Sequence, residues 1–502
     1  MHPAIIRGVP CQRPWLDNLG MSLPSCLFGA FSSLVCGLAL AQNLPSAVTA
    51  ALARANIPQE AVTFLVVDAE SRLSPRLNHR AHIPVNPAST MKLVTTYAAL
   101  DLLGPAYTWR TPVFVAGTVQ DDTLLGNLYI KGQGDPKLVA ERLWLLLRRV
   151  QGLGIAHIVG DIVLDHSAFT PTDTHPADFD DEPLRPYNAT PDALLFNFKS
   201  IVMTFVPDLA AQVARVHVEP PLAGVQMPKS VPLSNEACGN YRASLKADFS
   251  DAARVRFAGT YPSSCAEKVW AVAYTDPKSF STRAVEGLWR EMGGKLSGTV
   301  RYGIVPPLST PTFEMTSPAL AEVIRDINKF SNNVMAQQVF LTLSLPGAVT
   351  WPETPGQALP PTAPIASFEA SRLVVQRWWK ERIASNEAPT LDNGAGLSRE
   401  ARISAQALGR LLQTAYLSPL MPELMASLPI AGVDGTLRRS RNLPEGRAHL
   451  KTGTLRNVSA VAGYVHAASG KRYVLVAIAN HANASAVRPA IDALVDWTIN
   501  DN

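Results

Sequence analysis

The sequence predicts an α+β protein, an antiparallel sheet flanked by helices, interrupted in the chain by a large, mainly β insertion. Three observations carry the prediction. Strand-like runs stand at both ends of the chain, at 63–67 and again at 447–455, 461–466 and 473–478. Helical patterning brackets both groups, at 44–55 and 488–499. Between them, the stretch 111–305 changes texture and alternates short β-like runs with turns.

The 502 residues exceed the usual size of one domain, and a hydrophobic fraction of 47% against 17% charged gives ample core. The split pattern assigns 42–110 and 306–502 to one discontinuous domain and 111–305 to one or two inserted lobes. Net charge is only +4, and no basic stripe interleaved with aromatics is present, which excludes nucleic acid as a partner.

At the N-terminus, Arg7 and Arg13 precede an apolar stretch over 23–40 that ends in Ala39-Leu40-Ala41 before Gln42. This is the pattern of a signal peptide over 1–41, and it predicts export to the periplasm; a membrane anchor is the alternative for the same stretch. Cys11, Cys26 and Cys36 fall inside it, leaving Cys238 and Cys265. One even pair in an exported protein suits a single disulfide, with two unpaired buried thiols as the alternative.

In chain order, the run 63–67 has a hairpin partner at 77–85. The segment Asn86-Pro87-Ala88-Ser89-Thr90-Met91-Lys92 then opens a helix that continues to Leu103 and stops at Gly104-Pro105. In the insertion, 111–116 and 123–130 are strands about Asp121-Asp122, 141–150 a helix and 158–164 a strand. The stretch 170–191, rich in Pro and Asp, is an exposed loop, and 195–305 is a series of short strands. Helices return at 319–330 and 334–343, a proline-rich loop covers 351–364, and helices follow at 369–384 and 405–414. Ser469-Gly470-Lys471 turns the last two strands. His79 and His82 form an H-x-x-H pair in extended chain without a nearby Glu or Cys, so surface histidines fit better than metal ligands.

Three short motifs carry chemistry. Ser89 and Lys92 stand three apart on one helix face, where an amine of lowered pKa can take the serine proton and make it a nucleophile. Ser331-x-Asn333 occupies a turn between two helices. Its hydroxyl can relay a proton, and its carboxamide can hold both a lysine and a substrate amide. Ser440-Arg441-Asn442 matches the same weak pattern, but in a connection containing Pro and Gly. Lys451-Thr452-Gly453-Thr454 places a cation and hydroxyls suited to a carboxylate on a strand, with Gly453 leaving space for a ligand against the backbone.

In that order, Ser89-x-x-Lys92, Ser331-x-Asn333 and Lys451-Thr452-Gly453 resemble the three signatures of penicillin-binding proteins and serine β-lactamases. The long gap between the first two is similar to the type-4, low-molecular-mass class C penicillin-binding proteins, the D-alanyl-D-alanine carboxypeptidase/endopeptidases. Companion segments support this: Gly134-Asp135-Pro136, the run from Gly160 to Asp165, Asp392 with Gly394-Ala395-Gly396-Leu397-Ser398-Arg399, and Gly432-Val433-Asp434-Gly435-Thr436-Leu437.

The resemblance implies a penicillin-binding transpeptidase-like fold and a Ser89 acyl-enzyme formed on peptidoglycan stem peptides, with no cofactor or metal. It makes Lys92 the general base and Ser331 with Lys451 the proton path to the departing D-alanine. Asn333 orients the substrate, and Lys451 and Thr452 receive its carboxylate. The backbone N–H groups of Ser89 and Thr454 form the oxyanion hole. Asp181, or its neighbours Asp180 and Glu182, would grip a diaminopimelate side chain together with Arg399, with Tyr187 as an aromatic wall. Arg456 departs from the neutral residue common after the third motif. β-Lactam antibiotics are expected ligands, while peripheral membrane or wall association and homodimerisation are left open. A serine β-lactamase is the nearest rival, though no activating glutamate is evident, and a non-catalytic peptidoglycan-binding protein is the alternative of another class.

Overall fold

Hydrophobic side chains alternate between both faces of the strands at the two chain ends, so the sheet they form must be covered on both sides. The computed structural model describes residues 43–501 apart from 72, 73, 173, 351–364, 386 and 441. The expected signal peptide and proline-rich loop therefore lie outside the described residues.

Five strands form the central sheet, in the order Ala448–Leu455, Val458–His466, Arg472–Asn480, Val62–Asp68, Leu77–His79. Val62 pairs with Ala479 and Asp68 with Tyr473, which joins the N-terminal segment to the C-terminal hairpins. One face buries Leu65, Val67, Ala462, Tyr464 and Val476 with the helices around Lys92–Leu103. The other buries Phe64, Val66, Val461 and Leu475 with Ser46–Arg54 and Arg488–Ile499.

The 77–85 hairpin arm divides. Leu77–His79 pairs with the first strand, but Arg80 adopts φ 51°, and Pro84–Val85 pairs instead with Ile403–Ser404. A left-handed residue breaks the pleat, so one run serves two sheets. His79 Nε2 bonds the Gln59 carbonyl at 2.9 Å, and His82 is exposed.

In the insertion, Arg110–Gln120 and Thr123–Lys131 form a hairpin about Asp121 and Asp122, both left-handed at φ 45° and 65°. The sheet extends beyond residue 305, because Phe313–Thr316 pairs back onto Arg110–Gln120. A second sheet contains Ser200–Asp208, Val213–Glu219 and Lys268–Ala273. Both sheets pack into one continuous core with Ala140–Gly152 and Phe280–Glu291. That last helix falls where the sequence suggests short strands. Its buried Phe280, Ala284, Val285, Leu288 and Trp289 have helical spacing, and the β-branched and glycine residues between them obscure it. Cys238 and Cys265 form a disulfide.

Candidate active site

The chain reaches Ser89 through a strained turn. Ala88 adopts φ 47°, and Ala88–Met91 forms a 3-10 turn that leads into the helix Lys92–Leu103. Asn86 pins this turn: its Oδ1 accepts the Ala88 N–H at 2.9 Å and its amide donates to Ser398 O at 2.8 Å. Asn480 pairs with the Asn86 backbone in both directions, at 2.9 and 3.0 Å. A left-handed alanine persists only where neighbours over-determine it, and here they do.

Lys92 is fully buried among three oxygens, Ser89 Oγ at 2.9 Å, Asn333 Oδ1 at 2.6 Å and Ala395 O at 2.6 Å. Burial, and then the charge of Lys451, hold its amine well below the ordinary lysine pKa. The Ala395 carbonyl is a partner that sequence patterns missed, because a backbone atom leaves no residue signature. Asn393 shapes that loop, accepting from Ala395 N–H and donating to Leu397 O. Gly396 is obligatory there: at φ 73°, a Cβ would lie 2.0 Å from the Ala88 carbonyl.

Ser331 ends the helix Leu320–Phe330 in the left-handed conformation, φ 58°, and Asn332 caps Asn333–Thr342 by accepting the Met335 N–H at 3.0 Å. The sharp corner projects Ser331 and Asn333 together. Asn333 Nδ2 donates to Tyr187 O at 3.1 Å, so its two amide atoms bridge Lys92 and the insertion. Ser440 instead accepts from Arg488 at 2.6 Å, away from Ser89.

The third motif lies on the edge strand of the central sheet, beside the Ser89 turn. Lys451 is buried and donates to Ser331 Oγ at 2.9 Å and Thr452 O at 2.7 Å; burial lowers its pKa to about 7. Gly453 has a reason beyond the ligand space expected of it. An added Cβ would lie 2.8 Å from Pro87 O and 3.0 Å from Ser89 N, so the missing side chain admits the Ser89 turn itself. Gly453→Ala is expected to lower the acylation rate about 100-fold, since small misplacements of a reacting group cost that much. Stopped-flow acylation, with thermal melting to verify the fold, checks it.

Ser89, Ser331, Asn333 and Thr454 line a cleft of about 610 Å³ together with Tyr187, Asp180, Asp181, Arg399 and Arg456. Thr452 is not among its walls. Its hydroxyl shares a 2.7 Å hydrogen bond with Thr436, and it borders an adjoining recess of about 240 Å³ that Gly453 and Thr454 also line. Asp180 accepts Tyr187 OH at 2.8 Å and Asn188 Nδ2 at 2.6 Å, whereas Asp181 is exposed. Burial and then the Asp180 hydrogen bond push the Tyr187 phenol to about 12. Arg399 lies 4.5 Å over the ring of Phe179, which the sequence reading passed over, and donates to Arg456 O at 3.3 Å.

The profile of the D-Ala-D-Ala carboxypeptidase 3 (S13) family matches residues 44–501. A D-alanyl-D-alanine carboxypeptidase of Actinomadura sp. (strain R39) is 28% identical over 406 residues, 77% of this chain and 71% of the relative. The D-alanyl-D-alanine carboxypeptidase DacB of Haemophilus influenzae is 24% identical over 402 residues, 78% of this chain and 80% of that one. The crystal structure of penicillin binding protein 4 from Haemophilus influenzae superposes with TM-score 0.70 at 22% identity, covering 90% of this chain and 99% of that chain. That likeness establishes the penicillin-binding fold.

Proposed function

The chain belongs to the D-Ala-D-Ala carboxypeptidase 3 (S13) family, a serine D-Ala-D-Ala carboxypeptidase/endopeptidase, and from that premise we propose how its residues divide the work. Ser89 Oγ attacks the carbonyl between two D-alanines of a stem peptide and forms an acyl-enzyme. One observation supports Lys92 as the base more than any other. Two of its three partners, Asn333 Oδ1 and Ala395 O, can only accept hydrogen bonds. A neutral amine spends its two protons on them and directs its lone pair at the Ser89 hydroxyl.

Ser331 then hands a proton to the departing D-alanine nitrogen and is resupplied by Lys451, 2.9 Å away. The N–H groups of Ser89 and Thr454 hold the oxyanion, a contribution of about 3 kcal/mol per donor. Lys451, Thr452 and Thr454 receive the substrate carboxylate, and water releases the acyl group. Asn333 positions the substrate amide. Asp180 or Asp181, Tyr187 and Arg399 receive a diaminopimelate side chain. In this account the catalytic domain is 42–109 with 317–502, and the insertion, which starts with the strand Arg110–Gln120 and closes with Phe313–Thr316, supplies one wall of the cleft.

β-Lactams enter as substrate mimics that acylate Ser89; a Haemophilus influenzae relative of the same fold is described in complex with a novel beta-lactam. No helix among the described residues is long and apolar enough to cross a membrane. The pattern of residues 1–41 supports work in the periplasm at the peptidoglycan surface. The test is D-alanine release from a stem pentapeptide, and cleavage of a crosslinked dimer, by the protein and its Ser89→Ala variant. Release that depends on Ser89 is expected. Rapid penicillin turnover without D-alanine release would replace this reading with a β-lactamase, and neither reaction would leave a binding protein.

A further inference from the structure

The second and third motifs are hydrogen-bonded through Lys451 and Ser331, and a separate segment ties them a second time. Lys329, two residues before Ser331, is buried, and its ammonium meets Asp434 Oδ1 at 2.9 Å, Asp434 Oδ2 at 2.6 Å and Leu428 O at 2.6 Å. Asp434 Oδ1 also accepts the Ile430 N–H at 2.8 Å, folding its own loop. Gly435 follows at φ 56°, so close to the helix end that a Cβ would lie 2.6 Å from Lys329 O. Next comes Thr436, whose hydroxyl is 2.7 Å from that of Thr452. The same loop is bonded to the motif strand, Leu450 N–H to Pro429 O and Ala431 N–H to Ala448 O, both at 2.9 Å.

These contacts form a closed ring. It runs from Ser331 back to Lys329, across to Asp434, along to Thr436, across to Thr452, and through Lys451 to Ser331. We propose that Asp434 and Thr436 are positioning residues, and that the ring they close fixes the distance and dryness of the Lys451–Ser331 proton path and the direction of the Thr452 hydroxyl.

Each step follows from hydrogen-bond capacity. Lys329 has three protons, and Asp434 and Leu428 take them where the lysine side chain is only 5% exposed, while that of Asp434 keeps 33% of its surface open. The pair resists opening because separating it would strand the buried Lys329 charge. Burial works against the charged Asp434 carboxylate, yet the Lys329 hydrogen bond, the Ile430 N–H and the Lys329 charge hold its pKa below the ordinary carboxylate value. Thr452 has one hydroxyl proton. When Thr436 donates to it, that proton is free to point at a substrate carboxylate; without Thr436 it rotates. The Lys329–Asp434 link therefore acts on Ser331 through the helix end, and the Thr436–Thr452 link acts on Lys451 through the strand.

The catalytic consequence rests on the peptidase reading above, whereas the effect on Lys451 itself does not. The test compares Thr436→Val, Thr436→Ser and Asp434→Asn with the unsubstituted protein. Two quantities are measured, Lys451 titration by NMR of 15N-labelled lysine in the free protein and benzylpenicillin acylation from pH 5 to 10. Opening the ring admits water to Lys451, and its pKa climbs toward that of an ordinary lysine. The Val and Asn variants are expected to titrate Lys451 at higher pH, acylate about 10-fold more slowly or worse, and move the alkaline limb upward; the Ser variant restores all three. Wild-type Lys451 titration in both Thr436→Val and Asp434→Asn, whatever their melting temperatures, overturns the inference. A melting shift with no change in titration or pH limb reduces the loop to structural support and overturns it equally. A missing adduct in the unsubstituted protein counts against the peptidase reading, and the titration still decides the ring.

Discussion

Replacing Lys92 with methionine is expected to slow acylation of Ser89 about 1,000-fold while leaving the protein folded, because it removes the proposed general base and little else. Methionine has nearly the length of lysine, and the site is already dry, so the cavity stays filled. The variant leaves Asn333 Oδ1 and Ala395 O without the amine protons they now accept. Against that, the chain no longer holds an amine whose charged form burial penalises. The two changes oppose each other, so the melting temperature should move far less than the rate. Single-turnover acylation with benzylpenicillin checks this. A variant that acylates within 10-fold of the parent would remove Lys92 from the mechanism.

Lys451→Met is the second large effect, expected at about 100-fold in acylation with loss of the alkaline limb of the pH profile. Burial lowers the Lys451 pKa to about 7, so the proton it is proposed to pass through Ser331 is lost above that pH and the parent rate should fall. The same shift has a signature in stability. Unfolded, the lysine titrates near 10.5; folded, near 7. Between those values the unfolded chain binds more protons, so unfolding free energy increases as pH rises through the window. Urea unfolding between pH 7 and 10 should show that rise in the parent and a shallower one in Lys451→Met. An identical slope in both would contradict the assignment.

Much of the candidate site was legible because its chemistry resides in side chains at short, fixed spacings. Ser89 and Lys92 meet as their helical setting dictates, Ser331 and Asn333 share one helix-to-helix corner, and the motif strand was marked by its period. The left-handed Ser331 gave no signal, since serine rarely adopts that conformation and only the helix-to-helix corner demands it. Partners that act through backbone or through distant sequence were not visible. Ala395 contributes a carbonyl, and Asp434 approaches Lys329 across 105 positions of chain. Gly453 was noticed for ligand space, and its close approach to the Ser89 turn went unseen, because a sequence cannot tell what fills the space beside a glycine. The acidic stretch around Asp181 illustrates the same limit. Neighbouring carboxylates are interchangeable in sequence, and only in three dimensions do they differ: Asp180 accepts from Tyr187 and Asn188, whereas Asp181 lies exposed at the same cleft. Arg80 likewise redirects a strand that its composition alone would have continued.

The most direct measurement of the central claim is the intact mass of the protein after incubation with benzylpenicillin, beside a Ser89→Ala control, followed by peptide mapping. The account predicts a persistent increase of one drug molecule, mapped to the peptide containing Ser89 and absent from the control. An unmodified protein, an adduct that survives in Ser89→Ala, or hydrolysed drug with no lasting adduct would contradict it.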